Sequence, residues 1–313
     1  MKKSHRLYAI PLLALSLAAC TNDGLQDDPL ADGPVPLSVT ADISAVATRA
    51  QATAFEEGDM IGIYPYKNND LETVQANRLY TYSGGKFAST DPYYFQDRDE
   101  MTFNAYYPYD GNLTAENPRI EIDTRADNQV NRDDIVWRKN DYLFASNQTT
   151  VILPSVSYTG ENAFKHVMSQ VIFVFKAGTD SGVLNLSTLS QYKIATPLRM
   201  DGYFYASSGQ VVPKATSTKE AITMGITGAS GTEHICTPLI LLPQDDLGNT
   251  LSLEVTYNRL IYRASLTPPT GGLKAGYSYT YTVTIRNTAL EVSNAEISDW
   301  ITTVGSSGNA TLQ

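Results

Sequence analysis

Cysteine is nearly missing from this 313-residue chain: Cys20 and Cys236 are its only two. No disulfide framework supports the fold, so stability must come from apolar burial. Histidine is scarce too, at three residues. His166 lies in an apolar run and His234 sits two residues from Cys236, yet a metal site or a Cys–His nucleophile needs a third group, and the spacing supplies none. Both histidines therefore read as packed or hydrogen-bonded, and Cys236 as a small buried hydrophobe. Basic residues number 23 against 33 acidic ones, a net charge of −10 that repels nucleic acid and anionic lipid. Long segments with helical periodicity and caps are absent. Gly84-Gly85-Lys86 and Gly271-Gly272-Leu273-Lys274 lack the Ser or Thr that a phosphate loop requires, and they read as hairpin turns. Asp97, Asp99 and Glu100, Asp133 with Asp134, and Asp245 with Asp246 lack the spacing of a calcium hand; they read as solvated turns rather than as a hydrolase pair. No cofactor and no metal are expected.

What is present begins at the N-terminus. Lys2, Lys3 and Arg6 precede a short apolar run, Leu7 to Ala19, that is too short for a membrane span and has the form of an export signal. Leu17-Ala18-Ala19-Cys20 looks like a lipobox, which implies a mature chain starting at a lipidated Cys20. Several acyl chains on one residue make attachment effectively permanent. Residues 1–19 hold three basic and no acidic residues, so the mature chain is more negative than the whole. Residues 20–34 form an acidic, flexible tether.

Beyond the tether, tyrosine dominates the aromatics, at 20 against 9 Phe and 2 Trp, and 21 Gly and 15 Pro punctuate short apolar runs. That composition suits half-buried strands. Val35, Leu37 and Val39 alternate, and Ile43 to Val46 continues weakly to the small-residue site Ala47-Thr48-Arg49-Ala50. Strands are expected at Met60 to Tyr66, Arg78 to Tyr82, Tyr93 to Phe95, Met101 to Tyr107, Tyr142 to Ala145 and Val151 to Leu153. Phe164 to Ala177 is apolar at both parities, as in a strand covered on both faces or one crossing between domains. Leu251 to Tyr257, the turn Asn258-Arg259 and Leu260 to Leu266 read as a β-hairpin, and Tyr277 to Ile285 as a strand with one wet face.

The order of motifs resembles the fimbrillin family, the type V pilins of Gram-negative anaerobes. The likeness is carried by the lipobox, Arg49, Ala54-Phe55-Glu56-Glu57-Gly58-Asp59-Met60-Ile61-Gly62-Ile63-Tyr64 and Phe103-Asn104-Ala105-Tyr106-Tyr107-Pro108-Tyr109. Asp141-Tyr142-Leu143-Phe144-Ala145, Phe164-Lys165-His166-Val167-Met168-Ser169, Gly276-Tyr277-Ser278-Tyr279 and Ile297-Ser298-Asp299-Trp300 complete it. The resemblance implies an all-β chain of two tandem transthyretin-like antiparallel β-sandwich domains, placed at 35–160 and 161–313. It also implies a fimbrial subunit at the outer membrane that assembles with other fimbrial subunits. A protease would cut between Arg49 and Ala50, and a neighbour's strand would replace the lost one by β-strand addition.

On that account residues 35–48 act as a temporary cap on an open sheet edge. They must then be dispensable: if they run through the middle of a sheet, paired on both sides, their removal would wreck the domain and the polymer account would go with it. Ile301 to Gln313 has only Ile301, Val304 and Leu312 as strong apolar residues, with Gly305-Ser306-Ser307-Gly308 between them. That is a poor strand to donate, which favours a tip or accessory role over a stalk role; an anchor subunit that keeps its lipid is the third option. The alternative is a surface lipoprotein that binds a glycan through exposed aromatics such as Tyr93, Tyr94, Tyr106 and Tyr107; a host or bacterial surface glycan or protein is a further candidate ligand. A carboxylate hydrolase ranks below both.

Overall fold

The computed structural model describes residues 29–31, 33–43, 54–67, 70, 75–129, 139–178, 185–286 and 289–300. Among these residues there is no α-helix, and the chain is all-β.

The first strands are β1 (Val35–Pro36), β2 (Ser38–Ala41), β3 (Met60–Lys67), β4 (Arg78–Ser83), β5 (Lys86–Ala88) and β6 (Tyr94–Phe95). They are followed by β7 (Met101–Tyr107), β8 (Arg119–Asp123), β9 (Leu143–Thr149), β10 (Ser155–Tyr158) and β11 (Lys165–His166). Eight of them form one sheet in the order β10-β2-β5-β4-β3-β7-β9-β11, while β1 pairs with β6. One parity of each strand faces a common core: Ile61 and Ile63, Phe103 and Tyr107, Leu143, Val156, Tyr158 and Phe164 are all buried in it. The sheet is curled over that core. Tyr158, wholly buried, donates its hydroxyl to the Phe103 carbonyl at 3.0 Å and so brings β10 over β7. Burial and the neighbouring Tyr80 and Tyr66 push the Tyr158 phenol well above its ordinary value, so it stays a donor.

Val151 to Leu153, expected to be a strand, is a turn. The Leu153 amide donates to the Thr150 carbonyl, and Val151 is buried while Ile152 and Leu153 are exposed. Its three consecutive apolar residues mimic a strand, but Pro154 ends any ladder they could join.

The remaining strands start with β12 (Ser169–Ala177), β13 (Leu189–Arg199), β14 (Asp201–Tyr205), β15 (Gln210–Pro213), β16 (Lys219–Gly225) and β17 (Glu233–Ile235). Then come β18 (Leu239–Leu241), β19 (Leu251–Tyr257), β20 (Leu260–Leu266), β21 (Tyr277–Ile285), β22 (Leu290–Val292) and β23 (Glu296–Asp299). A sheet ordered β17-β12-β21-β22, with β18 on β12 and β23 on β21, faces a second ordered β16-β13-β19-β20. Phe173, Phe175, Tyr281 and Val283 of the first meet Tyr192, Ile194, Leu253 and Val255 of the second. The apolar run from Phe164 divides here: Lys165–His166 pairs with β9, and Ser169–Ala177 becomes a central strand of the sandwich.

The β19–β20 hairpin turns at Asn258 and Arg259, with φ of 50° and 64°. That is the mirror-image turn that matches strand twist, and it favours glycine at its second position. Arg259→Gly is expected to stabilise the chain by about 0.5–1 kcal/mol in denaturant titration, because the strained arginine conformation is removed. The Gly271-Gly272 turn is not a hairpin, since β20 and β21 lie in different sheets. Gly272 is needed there: at φ 78°, a Cβ would stand 2.2 Å from the Gln244 carbonyl oxygen.

One further sheet, ordered β15-β14-β8, joins the two halves of the chain. Below it lies a third apolar cluster, with Tyr64, Tyr106, Ile122 and Tyr142 from one half and Met168, Phe204, Ile240 and Trp300 from the other. Buried hydrogen bonds cross the same boundary. Asn104 donates to the Ser207 carbonyl at 2.6 Å, and the Gln129 amide both donates to and accepts from Ile240. The halves are therefore locked together rather than strung on a linker.

Candidate functional site: the early strand, its slot and the junction

Residues 35–43 alternate without a break. Leu37, Val39 and Ile43 are buried, Val35 and Ala41 are half-buried on the same parity, and Pro36, Ser38, Thr40 and Asp42 face outward. Period two places every apolar side chain on one face of an extended segment. The face is received by a slot, not an edge. β2 lies parallel to β10 over four residue pairs, and on its other side Val39 pairs with Phe87 of β5. Beyond the strand, the Phe164 amide donates to the Asp42 carbonyl and Ile43 bridges Phe164.

The expectation of an edge cap is thus corrected, and the mid-sheet placement that counts against a dispensable strand is the one found. The sheet's outer strand on this side is β10, and residues 38–41 are inserted inside it. Both walls of the slot have anchors of their own. β10 is held by Tyr158 and by the Asn147 side chain, which donates to the Ser157 carbonyl at 2.7 Å. β5 is held by its hairpin with β4. Cys20, Arg49 and Ala50 lie outside the described residues.

A second constellation marks the junction. His166 Nδ1 is 2.6 Å from Asp141 Oδ1, and the two side chains are 1% and 0% exposed. The His166 ring lies on Trp300, centroids 4.0 Å apart and planes 7° apart. Trp300 follows β23, whose four side chains are all exposed, so its ring is the buried anchor of that strand. His166 is therefore the packed, hydrogen-bonded residue that sequence suggests. Asp141 went unassigned a role there, although a carboxyl group inside the run Asp141-Tyr142-Leu143-Phe144 signals a buried polar side chain that needs a partner.

The other candidates disperse. His234 lies beside Cys236 with no third group, and no cluster of three metal-ligating side chains occurs among the described residues. Burial pushes the Cys236 thiol up to about 12. It is expected to resist maleimide at pH 8 in the folded chain and to react fully in denaturant, since the thiolate is the reactive form. Asp97 and Asp99 pair with Lys67, and Asp246 with Arg199 and Lys219. These are surface ion pairs at turns. Asp133 and Asp134 lie outside the described residues. Of the tyrosines offered as a glycan platform, Tyr93, Tyr106 and Tyr107 are buried and only Tyr94 is exposed. Their hydroxyls could not reveal this: Tyr106 and Tyr107 lie on opposite parities of β7, and both faces of that strand are covered.

A fimbrillin-like family profile matches residues 48–300. The chain belongs to the fimbrillin-like family. It is 25% identical over 346 aligned positions to a Bacteroides uniformis protein assigned as a fimbrium subunit, Fim1C, with 99% of each chain covered. A Bacteroides ovatus protein assigned as a fimbrium tip subunit is 27% identical over 189 positions, covering 54% of this chain and 35% of that one. Among solved structures, a Bacteroides ovatus protein assigned to cell adhesion superposes with a TM-score of 0.66 at 26% identity, covering 86% of this chain and 99% of that one. A Bacteroides uniformis structure at 22% identity and TM-score 0.64 covers 85% and 99% and has the same fold. The family match starts at residue 48, so the inserted strand of this fimbrillin-like chain precedes the matched region.

Proposed function

We propose that this fimbrillin-like chain is a structural, non-enzymatic subunit of a cell-surface fimbrium. It is exported as a lipoprotein, held to the outer membrane through Cys20, and matured by cleavage between Arg49 and Ala50. The observation that carries the assembly step is the alternating segment 35–43 seated between two strands that are anchored without it. Pairing on both sides counts against free loss of the segment, so the assembly step requires that another extended chain refill the slot by backbone hydrogen bonds and alternate side chains. The names of the relatives support the fimbrial setting. The poor alternation of residues 301–313 favours a tip or accessory position, one that receives a strand without having to donate one. The working domain division is 35–160 and 161–313 after the tether 20–34, with other fimbrial subunits as partners.

The test is the N-terminus of the protein recovered from surface fibres. A start at Ala50 supports cleavage and strand replacement. A start at Cys20 in every fibre-bound copy means that the early strand is retained, which ends the replacement reading and leaves a lipid-anchored subunit.

A further inference from the structure

The outward face of the sheet that joins the two halves is a small grid. Register places Arg119 of β8, Tyr205 of β14 and Gln210 of β15 in one row, and Glu121, Tyr203 and Val212 in the next. Asp123 and Asp201 form the third row, beside Lys214, whose amide donates to the Asp201 carbonyl. The inward parity is filled by Ile120, Ile122, Gly202 and Phe204, so these nine side chains project on the other side.

The charges in the grid do not cancel evenly. Glu121 is met by Lys214 at 3.3 Å, and Asp123 by Arg125 at 3.1 Å. Asp201 also lies 3.8 Å from Arg125, which bonds Glu220 as well. Arg119 is left over: it is exposed, its guanidinium carbon stands 4.7 Å from the centroid of Tyr203, and among the described residues no carboxylate pairs with it. The Tyr203 ring also carries the Lys214 ammonium at 4.9 Å, so its face is taken. The Tyr205 ring, 6.4 Å from that of Tyr203 and half-exposed, stands next to Arg119 and Gln210.

We infer that the row Arg119–Tyr205–Gln210 binds a carboxylate-bearing sugar. The guanidinium fork matches a carboxylate with two parallel hydrogen bonds. The tyrosine offers an apolar face to the ring C–H groups, as in other concave or flat sites where an aromatic body meets a few polar groups. The Gln210 amide can serve a hydroxyl as donor or acceptor. A net charge of −10 opposes loose adsorption of polyanions, so acidic sugars are held only where a cation is unmatched. The row draws on both halves of the chain and stands on strands, which keeps its spacing rigid. It does not rest on the strand-replacement reading, and it is tested on the uncleaved monomer.

The probes are sialyllactose and trigalacturonate, two sources of the same carboxylate chemistry, with lactose and galactotriose as neutral controls, measured by titration calorimetry. Binding of either acidic sugar, absent for its neutral control and weakened at least tenfold by Arg119→Gln and by Tyr205→Ala, is the expected result. Far-UV circular dichroism and the unfolding midpoint establish that each variant is folded. A protection assay on the unaltered chain covers a variant that fails to fold: the bound acidic sugar should shield Arg119 from a dicarbonyl reagent. Equal binding of acidic and neutral sugars, no binding of either acidic sugar, binding indifferent to both substitutions, or no shielding of Arg119 overturns the inference.

Discussion

A chain that begins at Ala50 is expected to lose most of the stability of its eight-stranded sheet and to recover it when a peptide of residues 33–47 is added. Leu37, Val39 and Ile43 are 4%, 1% and 3% exposed in the intact protein. Burying a side chain of this size contributes roughly 1.5–3 kcal/mol, so their joint loss rivals the 5–15 kcal/mol by which a whole domain is stable. The slot that remains also carries unpaired backbone groups on β5 and β10, a second cost of similar kind. Both effects are reversed by any strand with the right alternation. The peptide should therefore raise the thermal midpoint with concentration as a ligand does. A peptide carrying Val39→Asp should fail, because a lone carboxylate would enter the core. If the shortened chain stays unfolded at every peptide concentration, the slot cannot be refilled from outside and strand replacement must be abandoned. The family assignment and the sugar-binding row would be untouched by that result.

The second large effect belongs to the junction. His166→Ala is expected to lower the unfolding free energy by about 1–3 kcal/mol, the usual consequence of removing one partner of a buried hydrogen bond. Asp141 sits in the same wholly enclosed place, and the imidazole supplies its 2.6 Å contact. The substitution also removes the ring that Trp300 rests on, so β23 should loosen from β21 along Tyr277–Thr280. Two readouts separate these consequences. Denaturant titration gives the global loss, and amide exchange in residues 296–299 gives the local one. Pairing Asp141→Leu with His166→Phe, which keeps volume and a flat ring over Trp300, should recover much of the loss. A change below 1 kcal/mol in His166→Ala would mean that the pair contributes little to holding the junction.

Much of this architecture could be read directly from residue order. Tyr277 to Ile285 and the hairpin around Asn258-Arg259 show strict alternation, and both occur as expected, because one wet face imposes period two on a strand. Failures arose where apolar content and alternation part company. Val151-Ile152-Leu153 carries strand-like residues into a turn, and β8, β14 and β15 are short, polar-faced strands with little apolar contrast. The tyrosines show the same limit. Tyr93, Tyr106 and Tyr107 are as amphipathic as Tyr203 and Tyr205, and they become unequal only once packing covers both faces of β7, burying Tyr106 and Tyr107 on opposite parities.

By itself the sequence determined the all-β class, the alternating early segment and the burial of the Cys236 thiol. These are properties of neighbours along the chain, where periodicity and composition act. Only the tertiary structure decided that the early segment lies inside a sheet rather than along its rim, that Asp141 meets His166 under Trp300, and that no carboxylate of the joining sheet pairs with Arg119 among the described residues. Each of those depends on residues between 25 and 134 positions apart being brought together. Pairing between distant strands is chosen by the closure of a shared core, and no local pattern encodes which edges will meet.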